Sequence, residues 1–387
     1  MTFIIQVMFT FIDLFCGIGG FHHALSGLGG NCVFASDIDK KCRDVYEKNF
    51  KIKPFGDITE NLKKIPKHDV LCAGFPCQPF SKAGFQKGFD DDRGNLFFDI
   101  CKIVHKHKPK YLILENVRNL ASHDEGNTWN VIKTSIKYLG YYTYEDPVIL
   151  NAMHFGVPQN RERVIIMCKR IDLGELPELP KISKRPKVDT LEKFLISAEP
   201  NLNEKMQEVE KVWNEFLKLD FGEIPKFPIW TDWWDKDPSE DPTFYKKYTN
   251  WIDNNKKFYE KNKKVLEPWL KKSRKNDLWK GAVRKFEWQA GDRREGDSMN
   301  TVLWSARGSG IRTKRLDYIP TLVAISQIPV YGPESRTLSP RELLRLQSFP
   351  DSFEYDTVSI FKQVGNAVNV EMIRGCARFL MLDQKML

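Results

Sequence analysis

Short apolar runs alternate with amphipathic stretches over residues 9 to 168. Phe9 to Phe15, Asn31 to Ser36, Val70 to Ala73, Lys110 to Val117 and Val164 to Cys168 are rich in Val, Ile, Leu and Phe and end in turn residues, the pattern of buried strands. Thr143 to Leu150 reads as a further strand, and a short one ends at Asp57. Between them, Phe21 to about Leu28, Gly94 to His107 and Asn127 to Leu139 repeat apolar positions at helical spacing. This alternation predicts an α/β fold, a doubly wound and mostly parallel sheet with helices on both faces. From residue 171 to about 330 the alternation is lost, proline rises, and no fold is legible. Helical signals resume after Arg336. Ser339 is placed to cap a helix from Pro340 to Gln347, with Glu342 completing a capping box, and Gln363 to Val368 leads a final helix to about Leu382.

Two strand ends carry candidate chemistry. Val70 to Ala73 breaks at Gly74 into Phe75-Pro76-Cys77-Gln78-Pro79, which holds a thiol on a stiff loop where ligands of α/β sheets bind. The alternative for Cys77 is a buried structural cysteine. The run 110 to 117 ends in Glu115 and Asn116, and two neighbouring parallel strands would bring Cys77 and Glu115 to one rim. A thiol beside a desolvated carboxylate can add to a ring and manage a proton. Upstream, Cys16 to Gly20 is a glycine-rich turn into a helix, suited to close approach of a ligand and to an anion. His22 stands where a dinucleotide fingerprint needs its third glycine, so a small anion is favoured over a pyrophosphate. Asp37 ends the second strand twenty residues after Gly17, the place of a ribose-binding carboxylate, while Asp39 reads as a helix cap. Lys82 to Arg93 reads as a mobile flap.

With DLFCGIGG, GFPCQPFS, LENV and QNRER in this order, followed by QVGNAV, the chain resembles the DNA cytosine-C5 methyltransferases of bacterial type II restriction–modification systems. The motifs span residues 11 to 168 and resume from 336 to 370, roughly half the chain, and their order makes the match specific. The resemblance implies an S-adenosylmethionine-dependent, Rossmann-like catalytic domain over 1–170, a smaller target recognition domain over 171–335, and a return segment, 336–387, whose last helix completes the first domain. It implies Cys77 as nucleophile, Glu115 holding the target base, Arg163 meeting the base O2 and Arg161 orienting Glu115; for either arginine the alternative is a surface salt bridge. The implied cofactor contacts are Phe15, Gly17, Gly19, Gly20, Asp37, Ile38, Asp57, Ile58, Pro76, Leu96, Asn366 and Ala367, with S-adenosylhomocysteine as the product. For Asp57 the alternative is a helix cap. Gln78, Ser81 and Asn116 are implied at the substrate DNA. The implied partners are double-stranded DNA and, functionally, a restriction endonuclease, with the protein acting as a monomer.

Charge narrows the reading. The chain carries a net +9, and between Lys246 and Lys285 fourteen Lys and Arg face four Asp and Glu, a local +10. Nine of ten tryptophans lie from Trp213 to Trp304. Basic runs interleaved with aromatics suit a nucleic-acid phosphate surface, and the alternative is a solvated helical face over a tryptophan core. Ser305 to Arg315 is a Gly/Arg loop whose Arg307 and Arg312 could reach DNA. Eight cysteines without a CxxC pair indicate neither zinc nor a disulfide framework, as in a reduced, bacterial cytoplasmic protein. Met1 to Phe11 lacks the features of a signal peptide and is too short to span a bilayer. No Pro-Pro-Tyr/Trp loop of an amino-methylating enzyme is present, and the missing glycine argues against a nicotinamide oxidoreductase. A tRNA cytosine methyltransferase of the same family and a non-enzymatic DNA-binding paralogue remain as rivals.

Overall fold

The computed structural model describes residues 9–76, 96–183, 186–196, 198–324 and 327–387. Cys77, Gln78, Ser81 and the expected flap at 82–93 lie outside the described residues, as do residues 1–8. The chain divides into two compact units. One comprises Met1–Asp189, Pro320–Ile325 and Pro340–Leu387, the other Thr190–Ile319 and Ser326–Ser339.

The first unit is organised by a seven-stranded sheet. Strands β1 (Phe9–Leu14), β2 (Gly30–Ser36), β3 (Val70–Gly74) and β4 (Tyr111–Val117) are parallel; the chain goes out from β1 to β2 and back across to β3. Three later strands, β5 (Tyr141–Thr143), β6 (Val148–Asn151) and β7 (Glu162–Arg170), are antiparallel, with β7 between β4 on one side and β5 and β6 on the other. The strand expected over 143–150 is therefore two. The Glu145-Asp146-Pro147 turn divides it, since proline offers no ladder donor.

Both faces of this sheet are covered, which is why its strands read as nearly continuous apolar runs. Ile12, Leu14, Leu71, Leu112, Leu114 and Ile166 meet Phe97, Ile100 and Val104 of the helix Leu96–His107 and Trp129, Ile132 and Ile136 of the helix Asn127–Tyr138. Alternate residues such as Phe11, Val70, Ile113 and Ile165 are buried on the opposite face, against the helices Gly20–Ser26 and Val370–Leu382. A separate helix, Ile360–Asn366, precedes the last one; Asn369 starts the latter by accepting the Met372 amide at 3.0 Å.

The compact units part at other places than 170/171 and 335/336. Residues 171 to 189 stay with the first sheet, tied by Tyr144 Oη to the Pro177 carbonyl at 2.7 Å and by the Asp189 amide to the Gly156 carbonyl at 3.0 Å. Pro320–Ile325 also belongs there, whereas Arg336 and Thr337 continue the second unit's sheet. These ties are long-range hydrogen bonds, invisible to local periodicity.

The second unit holds a six-stranded sheet in the order β13-β12-β10-β11-β9-β8. The strands are β8 (Ile229–Trp230), β9 (Lys285–Glu287), β10 (Leu303–Arg307), β11 (Gly310–Lys314), β12 (Val330–Tyr331) and β13 (Arg336–Thr337). The helices Glu204–Leu217, Pro242–Lys261 and Lys263–Arg274 complete it. Its core is aromatic: Trp213, Trp234, Trp269, Trp279 and Trp304 are buried with Phe216 and Phe286, and Trp213 stacks on Phe286 at 4.4 Å. Most of the tryptophans thus serve packing, while Lys246, Lys247, Lys257, Lys261, Lys264 and Lys271 are exposed. Among the described residues, no helix is long and apolar enough to cross a membrane.

One buried group in the first unit lacks compensation. Asp13, on β1, is fully buried and neither carboxyl oxygen has a hydrogen-bond partner among the described residues. Burial, with the Asp37 charge adding to it, raises its pKa well above the usual range. The folded state therefore holds this proton more tightly than the unfolded chain does. Stability is lost as pH rises from the unfolded carboxyl value of about 4 toward the raised folded value. Asp13→Asn should remove that loss, giving a variant whose stability advantage in urea melts grows between pH 5 and pH 8. An advantage independent of pH would contradict the assignment.

Candidate active site

Register decides where the site lies. Leu14 pairs with Ser36 and with Ala73, and Gly74 pairs with Glu115, so the C-terminal ends of four parallel strands form one rim. The chain reverses direction across the sheet between β1 and β3, where such sheets open a crevice. A cavity of about 510 Å³ occupies this rim.

The β1–β2 side of the cavity is set by Asp37. Its Oδ2 accepts the Gly17 amide at 2.8 Å and its Oδ1 the Asp39 amide at 2.8 Å, which fixes the glycine turn against the end of β2. Burial raises the Asp37 pKa; those two amides and the Arg43 guanidinium oppose the rise, and the Asp39 charge adds to it. Phe15 lines the wall with φ of 55°, a left-handed conformation uncommon outside glycine and characteristic of functional turns. Ile38 also lines it and is 77% exposed, a bare apolar face beside the carboxylate. Asp57 Oδ1 caps the helix Ile58–Asn61 through the Thr59 amide at 2.9 Å, and the residue also lines the cavity.

Gly17, Ile58, Pro76, Leu96 and Asn366 line the same space. Gly19, Gly20 and Ala367 do not. Gly19 has φ of 90°, and a Cβ there would fall 2.2 Å from the Phe50 ring; one on Gly20 would fall 2.6 Å from Val368. These two glycines let the first helix pack. His22 stacks on the same Phe50 ring at 3.8 Å and is buried, so its place in the motif is also a packing place. Sequence reasoning passed over Lys362 and Gln363, which line the cavity next to the QVGNAV motif; Lys362 Nζ lies 3.4 Å from Asp39 Oδ2.

The other side of the cavity is charged and dry. Arg163 opposes Val117 in the antiparallel β4–β7 pair, which puts it diagonally across from Glu115 on one face. Its Nε meets Glu115 Oε1 at 2.8 Å with both side chains about one-tenth exposed. Burial raises the Glu115 pKa, while Arg163 and then Arg161 draw it back. Arg163 Nη1 is spent on the Glu162 carbonyl, and Nη2 has no partner among the described residues.

Arg161 does not hydrogen-bond to Glu115; its donors go to the carbonyls of Leu322 at 2.9 Å, Gly365 at 2.9 Å and Ala367 at 2.8 Å. The contact that orients Glu115 comes from Arg163. Asn116 Nδ2 donates to the Phe75 carbonyl at 2.9 Å, anchoring the segment that leads to Cys77. In the second unit, Arg307 and Arg312 lie on one face of the β10–β11 pair, where Arg312 opposes Ser305. Arg312 pairs with Glu287 at 2.9 Å, and Arg307 Nε donates to Ser305 at 3.3 Å.

A Rossmann-like sheet with a glycine turn, a carboxylate at the end of β2 and an acid–arginine pair at the rim defines the class of S-adenosylmethionine-dependent methyltransferases. The family model of the C-5 cytosine-specific DNA methylases matches residues 9–381, and this chain belongs to that family. It is 35% identical to the type II methyltransferase M.HhaI of Haemophilus parahaemolyticus, over 94% of this chain and 91% of that one. It is likewise 35% identical to M.HpaII of Haemophilus parainfluenzae, over 96% and 88%. Among solved structures, a putative DNA modification methyltransferase encoded within an E. coli prophage shares the fold, with a TM-score of 0.54 and 20% identity over 97% of this chain and 99% of that one.

Because Asp37 anchors the turn and faces the cavity, Asp37→Ala should weaken S-adenosylhomocysteine binding by about 10-fold or more, the cost of losing a charge-assisted hydrogen bond. Titration calorimetry checks this, and an unchanged Kd would remove Asp37 from the ligand site.

Proposed function

We propose that this chain is a sequence-specific DNA cytosine-C5 methyltransferase that uses S-adenosylmethionine and Cys77. The observation that carries the mechanism is the pairing of Gly74 with Glu115, which sets the approach to Cys77 beside a buried carboxylate held by Arg163. The cavity suits the cofactor: its volume lies in the ~300–1,000 Å³ range of small-molecule sites. In this reading Asp37 would hold the ribose hydroxyls, Ile38 would cover a face of the adenine, and Asp57, whose Oδ2 has no hydrogen bond among the described residues, would meet the adenine amino group; all three line the cavity. Asn366, Pro76 and Leu96 would border the remainder.

Cytosine C5 is a poor nucleophile until electrons are pushed into the ring. The Cys77 thiol, with an ordinary pKa of about 8.5, gives up its proton to water and its sulfur adds at C6. That addition makes C5 enamine-like. Glu115 would hold N3 and the exocyclic amine, stabilising the charge that develops, and Arg163 Nη2 would meet O2. Bound in the cavity, S-adenosylmethionine supplies an electrophilic methyl group. Loss of the C5 proton and expulsion of the Cys77 thiolate then restore the aromatic ring.

C5 and C6 are out of reach in a stacked duplex, so the target base must be flipped out. The second unit, with its exposed lysines, is read as the target recognition domain, which would hold the backbone through counterion release. In this reading the enzyme acts as a monomer in the bacterial cytoplasm and protects host DNA from a companion endonuclease.

Bisulfite sequencing of plasmid DNA from cells expressing the chain should show protected cytosines in one short repeated context, lost entirely in Cys77→Ser. Methylation that survives in Cys77→Ser would refute the covalent mechanism, and methylated tRNA with unprotected DNA would move the chain to the RNA-modifying branch. Glu115→Gln should bind DNA and cofactor with kcat lowered about 10²-fold or more. A normal kcat in that variant would take Glu115 out of the chemistry.

A further inference from the structure

The cavity of the first unit opens to solvent beside Ile38, which lines it and is 77% exposed. Two elements of that unit, far apart in the chain, border this opening. One is the start of the helix Lys40–Phe50, where Asp39 is the cap and accepts the Lys41 amide through Oδ1 at 2.9 Å. The other is the helix Ile360–Asn366. Asp39, Lys362 and Asn366 all line the cavity. Asp39 Oδ2 and Lys362 Nζ meet across the opening at 3.4 Å, with the lysine side chain 63% and the aspartate 34% exposed.

Away from the cavity the same two segments are joined more firmly. At the far end of the helix Lys40–Phe50, Asn49 Nδ2 donates to the Glu354 carbonyl at 2.7 Å, and Asn49 Oδ1 accepts the Glu354 amide at 2.8 Å. Lys48 pairs with the Glu354 carboxylate at 2.9 Å. Three short contacts thus hold residue 354, while a long, hydrated ion pair holds residue 362. Water and salt compete for both charges of such a pair, so it breaks and re-forms far more often than the three contacts break together. Its breaking is also local. Asp39 keeps the helix cap through its other oxygen, and its amide stays on Asp37 Oδ1 at 2.8 Å, so Asp37 is left in place.

We propose that the Asp39–Lys362 pair is a gate on the cofactor cavity, and that Lys362 is a positioning residue that sets how fast S-adenosylmethionine enters and S-adenosylhomocysteine leaves. The inference rests on the cofactor site proposed above. There the adenosine end lies along Asp37 and Ile38, directly beside the pair, so exchange passes it. A contact between two protein groups that touches no atom of the ligand slows entry and exit by one factor and leaves Kd unchanged. A lysine that held the ligand itself would change Kd.

The test measures kon and koff for S-adenosylhomocysteine by surface plasmon resonance on the full chain. This ligand carries no net charge near neutral pH, so added salt acts on the pair rather than on the ligand. Lys362→Ala, and Asp39→Asn with its cap oxygen retained, should each raise both rates about 3-fold, the scale of an exposed ion pair, with Kd within about 1.5-fold. The double variant should be no faster than either single one, and Lys362→Arg should keep the unsubstituted rates. Raising salt from about 0.1 M to about 1 M shortens the screening length from about 10 Å to about 3 Å. That change should bring the unsubstituted chain to the rates of Lys362→Ala and leave the variant unaltered. Unchanged rates in either single variant overturn the gate. So does a rise in koff alone, which would make Lys362 a ligand contact. A loss of affinity with a lowered Tm also overturns it, since a merely structural role predicts that result. A chain that binds no S-adenosylhomocysteine overturns the cofactor site instead, and this inference with it.

Discussion

Gly74 and Glu115 face each other across two parallel strands, and most of the site depends on that register. A one-residue slip of β3 against β4 would turn Glu115 to the face that carries Leu112 and Leu114, burying a carboxylate among Phe97 and Ile132. The apolar sets on both faces thus lock the acid at the rim. The same pairing extends through Leu14 to β2, so the glycine turn, Asp37, the approach to Cys77 and Glu115 open in a single row.

Once placed there, Glu115 has to be reconciled with burial. The antiparallel entry of β7 brings Arg163 diagonally beside it and Arg161 close behind. Removing one member of such a buried pair commonly costs about 3–5 kcal/mol, because the survivor is left uncompensated. A second like-charged guanidinium in the same dry space is tolerable because its charge is met elsewhere, by three backbone carbonyls. Those carbonyls belong to segments far apart in the chain, at 322 and at 365 to 367. The acid–arginine pair and the closure of the cofactor wall are therefore one construction.

The second unit divides its residues by a different logic. Its aromatic and basic residues are interleaved in sequence, which on composition alone could be either a stacking surface or a packed core. Trp213, Trp234, Trp269 and Trp279 form the core, and the lysines of the helices Pro242–Lys261 and Lys263–Arg274 are left outside it. Trp230 and Trp251, stacked at 5.2 Å, are half-buried, with Lys285 3.6 Å above the Trp230 ring. Positive charge on this unit is a surface property; its aromaticity is largely an interior one.

Local pattern determined the parts that local physics builds. Apolar runs ending in Gly, Asp, Glu or Cys determined the parallel strands and the residues at their ends, because a strand buried on both faces has nowhere else to put its polar groups. Motif order determined the family. Tertiary structure alone decided the rest. Gly19 and Gly20 look like ligand-cradling glycines, and the positions of Phe50 and Val368 add a packing reason for both, since neither leaves room for a Cβ. Arg161 reads as a partner for Glu115 in a motif, yet its hydrogen bonds reach carbonyls up to 206 positions away. The return of residues 320–324 to the first unit and the ties that keep residues 171–189 with it are likewise long-range. Such bonds end on backbone carbonyls that every residue possesses, so the acceptors leave no mark in residue type or spacing, and only the folded chain determines which of them are used.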